Sequence, residues 1–438
     1  MSQKIAAEDF PKAWSGPIAE KPPPAVAVAV VVREYEEGRD KAGVERMEMR
    51  CEVTGQRSGP DNKNKMKKKE EEEEKKAFLV TDLLGDPLCR VRSFPLHVML
   101  VAEWGEGGEI VGVIRGCIKR AKITRNVANP SSSDYVKVAN VLGLRVSPSH
   151  RRHGIATRLV QEIERWCKRH GADYAYMATD ATNSPSLKLF TAKCGFIKYR
   201  TPNLLVRPVH AHREPPVPGT SIIRITPRLA ELMYRRVLAG SDFFPEDMGE
   251  IVAHALSLGT FVAIPEESAR AWDPESGALP PLSFAVASVW NTKGVYNLQV
   301  KGASGFVRAC CAGSRMLDSC MPWLRLPSFP NVFNRFGFYF LYGLYMTGKH
   351  GPSLMKSLCD FAHNMARDDA GCGAVVAEVG PGDPVKVAIP HWKRFSWSED
   401  VWCIKLLREG LVQKCGDLDW VHMSKGQSPV LFVDPRDV

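Results

Sequence analysis

The chain has 438 residues, 44% of them apolar and 25% charged, with a net charge of +10. This length exceeds the usual limit of one hydrophobic core, so we predict two domains. No apolar run is long enough to span a membrane, and early prolines interrupt any secretory signal. Twelve cysteines without a CxxC pair indicate the reduced thiols of an intracellular protein, in the nucleus or the cytoplasm.

The positive charge suits an acidic partner, a nucleic acid or the phosphates of a nucleotide cofactor. The sequence contains no zinc-ligand spacing, no RNA-binding aromatic signature and no recognition helix, so we do not expect direct nucleic-acid binding. His150 and His153 are three residues apart, but neither has a cysteine or carboxylate partner at a supporting spacing. We therefore expect no metal site.

The N-terminal region alternates between low-complexity and structured segments. Residues 1–24 are rich in proline and are predicted to form a disordered tail, whereas the valine and alanine run at 25–33 predicts a buried first strand. Residues 54–77 join turn-forming residues to blocks of lysine and glutamate, which predicts an exposed charged insertion. A nuclear-import signal is the alternative interpretation of these lysines.

The following region combines hydrophobic runs of strand length with a periodic helical pattern. The helix beginning near Gly154 has apolar residues on one face and ends in cations before Gly171, an ordinary helix stop. The predicted order is a hairpin at 96–101 and 110–118, a strand at 135–146, this helix, a strand at 174–179, a helix at 184–194, and a terminal hairpin at 196–199 and 204–206.

A proline-rich segment at 213–220 is predicted to be the linker between a first domain at 25–212 and a second at 221–438. The second half loosely repeats the first. A long apolar strand at 338–346, a glycine-containing loop, an amphipathic helix and a strand at 374–379 follow one another, and Gly343 takes the place of Gly143. Strand, helix, strand order is common in α/β proteins, which is the alternative explanation of the likeness.

The loop between strand 135–146 and the helix carries the chemistry. Backbone amides at a helix start lack intrahelical partners and point, with the helix dipole behind them, at a bound anion. Gly154 admits close backbone approach, and Arg151 and Arg152 add positive charge. This pattern predicts a phosphate site, with an ordinary turn bearing surface arginines as the alternative.

Arg151-x-x-Gly154-x-Ala156 resembles the acyl-CoA pyrophosphate loop of GNAT acetyltransferases, and Asn183 with residues 189–196 resembles their following segment. Together with residues 341–344, 373–380 and 389–393, the chain resembles the plant HOOKLESS-type N-acetyltransferases from about Val26 onward. The resemblance implies a mixed α/β GNAT fold followed by a second, degenerate GNAT-like domain. It also implies acetyl-CoA as acyl donor, an amine acceptor on a protein or small molecule, and a role in hormone-regulated growth, including apical hook formation.

The resemblance further implies which residues contact acetyl-CoA. Strand backbone pairs with the pantetheine arm where two parallel strands separate, and the loop amides hold the pyrophosphate. The implied residues are Leu144, Arg145, Val146, Arg151, Arg152, His153, Gly154, Ile155, Ala156, Thr157, Asn183 and Phe190.

The catalytic groups are less evident. Many GNAT enzymes have a tyrosine at the position of Phe190 to protonate the thiolate, and a glutamate on the strand before the loop, but strand 135–146 has no carboxylate. Glu103, Asp134 and Asp180 are candidate substitutes, each also explicable as a surface carboxylate. Two hypotheses follow: an active N-acetyltransferase, or a weakly active or inactive regulatory protein that binds acyl-CoA or a protein partner.

The second half offers candidates for acceptor contacts, because ligand sites often form between domains. Trp392, Lys393 and Trp402 are such candidates, with core packing as the alternative for the tryptophans. The loop after strand 338–346 has Lys349 as its single cation, and Pro352 removes one amide. We therefore expect weak or absent cofactor binding in the second domain.

Overall fold

The computed structural model describes residues 30–54, 77–123, 135–280, 282–396, 400–408 and 430–438. The predicted tail at 1–24, most of the charged insertion at 54–77 and the candidate base Asp134 lie outside these ranges. None of the helices in the described ranges is both long and apolar enough to cross a membrane.

The first half contains, in chain order, β1 (Val30–Glu34), α1 (Glu37–Thr54), β2 (Phe78–Asp82), β3 (Leu96–Trp104), β4 (Glu109–Lys122), β5 (Tyr135–Val146), α2 (Ile155–Arg169), β6 (Tyr174–Asp180), α3 (Ser184–Lys188), β7 (Ile197–Arg200) and β8 (Asn203–Pro208). The second half contains β9 (Thr220–Ile225), α4 (Pro227–Val237), α5 (Met248–Ala253), β10 (Ser257–Pro265), α6 (Glu266–Ala269), β11 (Phe284–Asn291), β12 (Asn297–Lys301), α7 (Gly305–Cys320), β13 (Gly337–Thr347), α8 (Gly351–Asp368), β14 (Cys372–Val379) and β15 (Asp400–Leu406).

The first sheet has seven strands in the order β1-β3-β4-β5-β6-β15-β7. The predicted β3–β4 hairpin is confirmed, and β5 and β6 are parallel strands connected through α2. The apolar face of α2 packs on the sheet through Ile155, Leu159 and Ile163, all nearly inaccessible to solvent. β1 is the edge strand and is half-exposed, so its predicted burial is wrong for the residues that the structure describes.

The second sheet has six strands in the order β8-β14-β13-β11-β10-β9. Its parallel pair, β13 and β14, is connected by α8, whose buried face includes Leu354, Met355 and Leu358. This unit reproduces the order of β5, α2 and β6. The mixed α/β fold expected from the sequence is confirmed, since each half contributes strand, loop, helix and strand to a mixed sheet.

Two strands exchange between the halves. β8 leaves the first half to pair with β14, and β15 returns from the second half to lie between β6 and β7. The predicted terminal hairpin of β7 with β8 is therefore wrong, and the linker at 213–220 does not separate the two sheets. β12 joins neither sheet, because it pairs with β2 in a separate two-stranded ribbon.

Candidate functional site

The parallel strands β5 and β6 separate partway along their length. They pair from Val138 with Tyr174 to Asn140 with Tyr176, and no further. Beyond Asn140, β5 continues beside β4, whereas β6 continues beside β15. The resulting opening, which we call the splay, lies between residues 141–146 of β5 and 177–180 of β6. Within the splay, the two strands no longer pair with each other.

A bulge in β5 shapes one side of the splay. Val113 and Arg115 of β4 face Arg145 and Leu142 of β5, so β5 carries one extra residue between them. Gly143 lies at the bulge with a φ of +64°, and a Cβ there would lie 2.8 Å from Nη1 of Arg115. Arg115 is buried and ion-paired with Glu48 at 2.9 Å. The ion-paired guanidinium of Arg115 thus packs directly against the bulge and leaves no room for a side chain at Gly143.

The basic loop follows β5 directly. A single 3₁₀ turn at Pro148–His150 leads into α2, and Arg152 and Gly154 have φ values of +71° and +78°. Arg158 donates the first hydrogen bond of the helix, to the carbonyl of Gly154. No described residue accepts a hydrogen bond from the amides of residues 152–157. The helix start therefore presents unsatisfied donors, as an anion site requires.

Both histidines of the loop pack on one aromatic residue. The rings of His150 and His153 lie edge-on to Trp104 at centroid distances of 5.1 and 5.2 Å. Nδ1 of His150 also makes a 2.9 Å hydrogen bond with the hydroxyl of Ser149. Among the residues that the structure describes, no group of three or more histidine, cysteine or acidic side chains is arranged to hold a metal.

The two described candidate bases are engaged in local structure. Glu103 forms ion pairs with Arg33 at 2.6 Å and Arg39 at 2.7 Å. Asp180 accepts hydrogen bonds from the amide and the hydroxyl of Thr182, which stabilises the turn after β6. Neither carboxylate lies at the cavity described below.

Asn183 and Phe190 occupy structural positions after β6. The Asn183 side chain caps α3, accepting from the amide of Ser186 at 3.3 Å and donating to the hydroxyl of Thr179 at 3.2 Å. Phe190 is 2% exposed and packs edge-to-face on Phe196. The position of the usual tyrosine acid is thus a core residue without a hydroxyl.

The splay opens into a cavity of about 540 Å³ between the two halves. Leu142 and Gly143 of β5 and Ala178 of β6 line its near side. The far wall consists of the second sheet, to which β8 belongs, together with β12 and the segments around Phe329 and Phe395. That wall is largely apolar and aromatic. Its side chains include Leu204, Val206, Tyr296, Leu298, Phe329, Phe336, Phe338, Val376 and Phe395.

Of the three acceptor-contact candidates, the structure brings one to the cavity. Trp402 of β15 lines it, is 4% exposed and stacks on Tyr176 at 5.4 Å. Trp392 instead stacks on Phe395, behind the lining, and Lys393 is exposed to solvent.

Sequence reasoning missed the acidic groups of the cavity. Asp437 accepts hydrogen bonds from the hydroxyl of Tyr176 at 2.5 Å and from Asn140 at 3.0 Å, and pairs with Lys119. Glu378 accepts a 3.1 Å hydrogen bond from Nε1 of Trp402. Burial, followed by the charge of Asp400, raises the pKa of Glu378 to about 8. The only signal was a single carboxylate inside the apolar predicted strand at 374–379.

Comparison with known proteins shows the family of this chain. The model of the family "Acetyltransferase (GNAT) family" matches residues 66–196. The Arabidopsis thaliana protein "Probable N-acetyltransferase HLS1-like" is 44% identical, over 94% of this chain and 100% of its own length. The Oryza sativa subsp. japonica "Acetyl transferase GW6a" is also 44% identical, over 94% and 98%.

A solved structure of Saccharomyces cerevisiae N-myristoyltransferase with bound myristoyl-CoA matches 88% of this chain and 81% of its own, at 9% identity and a TM-score of 0.48. The family match and the relatives, together with the mixed α/β fold, define a GNAT-type acyltransferase. Within that class, the chain belongs to the family of plant HOOKLESS-type N-acetyltransferases.

Proposed function

We propose that this protein transfers acetyl from acetyl-CoA to an amine of a protein or small molecule. The observation that supports it most strongly is the continuity of three features: free amides at the start of α2, the splay beside them, and the cavity into which the splay opens. Together they provide an anion site, a gap between two strands for the pantetheine arm and a cavity for an acceptor.

Each part of the site has a distinct task. The amides of residues 152–157 and the guanidinium groups of Arg151 and Arg152 hold the pyrophosphate, helped by the dipole of the fifteen-residue helix α2. The backbone of residues 144–146 pairs with the pantetheine arm. Acetyl-CoA supplies the acetyl thioester, and a strand N–H at the splay stabilises the oxyanion that forms on attack by an amine.

Calorimetry with acetyl-CoA tests the placement of the pyrophosphate. We expect Gly154→Glu to abolish binding, because the site of a new side chain is open and its negative charge would occupy the anion cradle. Gly277→Glu is the matched control, since Gly277 also has a positive φ, of +67°, and open space around it. Equal binding by both variants would reject the site.

A binding protein without efficient transfer is the second candidate. It is favoured by Phe190, which provides no hydroxyl, and by β5, which provides no carboxylate. A thiol-release assay with acetyl-CoA and an amine separates the candidates, because a regulatory protein binds acetyl-CoA without releasing free CoA faster than the buffer does. Loss of one acid or base lowers a rate by roughly two to four decades without abolishing it.

We also propose, from the family resemblance, that this protein acts in hormone-dependent differential growth, including apical hook formation, from the nucleus or the cytoplasm. Imaging of a fluorescent fusion distinguishes the two compartments. A Gly154→Glu chain that restored growth as fully as the unaltered chain would show that acetyl-CoA binding is not needed for that role.

A further inference from the structure

The cavity between the halves has walls suited to an apolar ligand. Aliphatic side chains of β12 and aromatic side chains of β13 and of the segment around Phe329 line the cavity opposite the splay, and Arg90 is the cationic residue among the lining residues that the structure describes. Such a wall favours a ligand with an apolar or aromatic body and penalises a strongly hydrated one.

Glu378 is one of three acidic groups in this cavity, with Asp400 and Asp437. Within the described part of the chain, no lysine or arginine pairs with it, and its hydrogen-bond donor is the neutral indole of Trp402. Asp437 differs, because Lys119 pairs with it. A carboxylate in a largely apolar cavity that is not paired with a lysine or arginine is suited to bind a cationic group of a ligand.

Glu378 also lies where an acetyl group would be transferred. Its partner Trp402 pairs with Ala178, two residues beyond Tyr176, at which the parallel pairing of β6 with β5 ends. Ala178 itself lines the cavity. The carboxylate of the second sheet therefore reaches across to the β6 side of the splay in the first sheet.

We propose that this cavity is the acceptor site, that it takes a primary amine borne on an apolar or aromatic group, and that Glu378 is the general base. The inference rests on the proposed acetyl transfer and adds to it the class of acceptor and the residue that receives the proton. It assigns the missing base to the second half of the chain, which has no counterpart in a single-domain enzyme.

The proposed step conserves protons and electrons. The ammonium group enters and gives one proton to the Glu378 carboxylate, which leaves a neutral amine. Its nitrogen lone pair attacks the thioester carbonyl, the C–N bond forms, and collapse of the tetrahedral adduct breaks the C–S bond. The departing thiolate takes the second nitrogen proton, and Glu378 returns its proton to solvent. The products are an N-acetyl amine, CoA thiol and one released proton.

The pKa of Glu378, raised to about 8 mainly by burial, places the carboxyl in the range where a base is effective at neutral pH. The charges of Asp400 and Asp437 raise it further, and the indole N–H of Trp402 lowers it. Because the base must be deprotonated, kcat should rise with pH and level off above about pH 8.

The class of acceptor is tested with acetyl-CoA and a panel of amines on the full chain. We expect 2-phenylethylamine and tryptamine to be acetylated with kcat/KM at least about tenfold above ethanolamine and glucosamine, the ratio that about 1.4 kcal/mol of apolar burial provides. Preference for the polar amines, or no turnover with any amine despite acetyl-CoA binding, overturns this inference. Failure to bind acetyl-CoA at all overturns the proposed function instead.

The base is tested with Glu378→Gln, whose amide oxygen still accepts from Trp402. We expect kcat to fall by roughly two to four decades and the rise with pH to disappear, with acetyl-CoA affinity unchanged. Glu378→Asp should retain the rise of kcat with pH, but with a lower kcat.

Asp383→Asn is the matched control. Burial raises the pKa of Asp383 to about 6, but Asp383 does not line this cavity. The variant should therefore keep the kcat and the pH profile of the unaltered chain. An unchanged kcat and pH profile in Glu378→Gln would overturn the assignment.

Discussion

Gly143 and Gly343 occupy equivalent bulges in the two halves. Their φ values are +64° and +63°, and each lies where β5 or β13 carries an extra residue against its antiparallel neighbour. A Cβ at Gly343 would lie 2.5 Å from Cζ of Tyr234, which is fully buried. The sequence likeness of the two positions thus reflects a shared backbone requirement.

At the residue scale, we predict that Gly343→Ala lowers the free energy of unfolding by about 3 kcal/mol. About 1–2 kcal/mol comes from the left-handed backbone and the rest from overlap with the Tyr234 ring. Gly371→Ala is the control for the backbone cost alone, because Gly371 has a φ of +83° and open space around it. Urea unfolding measures both. Equal losses would mean that Tyr234 moves aside at little cost.

At the scale of elements, ion pairs attach the last described segment, 430–438, to both halves of the chain. Lys119 of β4 pairs with Asp434 at 3.2 Å and with Asp437, and Arg436 pairs with Asp247 at 2.7 Å. Burial acts to raise the pKa of Asp434, but the charges of Arg436 and Lys119 outweigh it and hold the pKa well below its usual range. This depressed pKa stabilises the fold above about pH 4, and the stabilisation is lost as the pH falls below that.

We predict that Lys119→Met costs about 3–5 kcal/mol at pH 7, because it leaves two buried carboxylates short of a cation. Arg120→Met is the adjacent control, since Arg120 pairs with Glu246 at the surface and should contribute at most about 1 kcal/mol. The Lys119 variant should also lose less stability on acidification, because the pKa of Asp434 is then lowered less. Urea unfolding at pH 7 and at about pH 2.5 measures both effects, because the stabilisation by Asp434 is lost only below about pH 4. Similar losses of stability in the two variants would contradict this prediction.

At the scale of the whole molecule, the exchange of β8 and β15 makes each half depend on the other. Residues 1–212 lack the strand that joins β6 to β7, and they carry β8 without its partner β14. Unpaired strand edges leave backbone donors and acceptors unsatisfied and promote aggregation.

We therefore predict that residues 1–212 alone do not unfold cooperatively. Residues 30–202 joined through a flexible linker to 397–408 should do so, because that chain contains all seven strands of the first sheet. Thermal unfolding by circular dichroism with size-exclusion chromatography measures the difference. A monomeric 1–212 fragment that melts like the full chain would show that the exchange is dispensable.

The extent of correct prediction follows from how local each signal is. The β3–β4 hairpin and α2 were predictable because turn glycines, helix caps and apolar periodicity act over a few residues. α7 was not predicted, because nearly all of its apolar side chains remain partly or fully exposed, so its pattern marks no core face. The partners of β8 and β15 were not predictable, since strand pairing depends on residues about two hundred positions away.

The sequence by itself determined that a basic, glycine-containing loop would lead into a helix start at residues 151–157, where we propose that the pyrophosphate binds. It could do so because the amides of a helix start and a glycine of positive φ are local properties. It also determined that each half would form strand, loop, helix and strand. Only the tertiary structure decided where the acceptor cavity lies and that Glu378 faces the splay. The reason is physical: a carboxylate acquires its pKa and its partners from the surfaces packed around it, and here those surfaces come from both sheets.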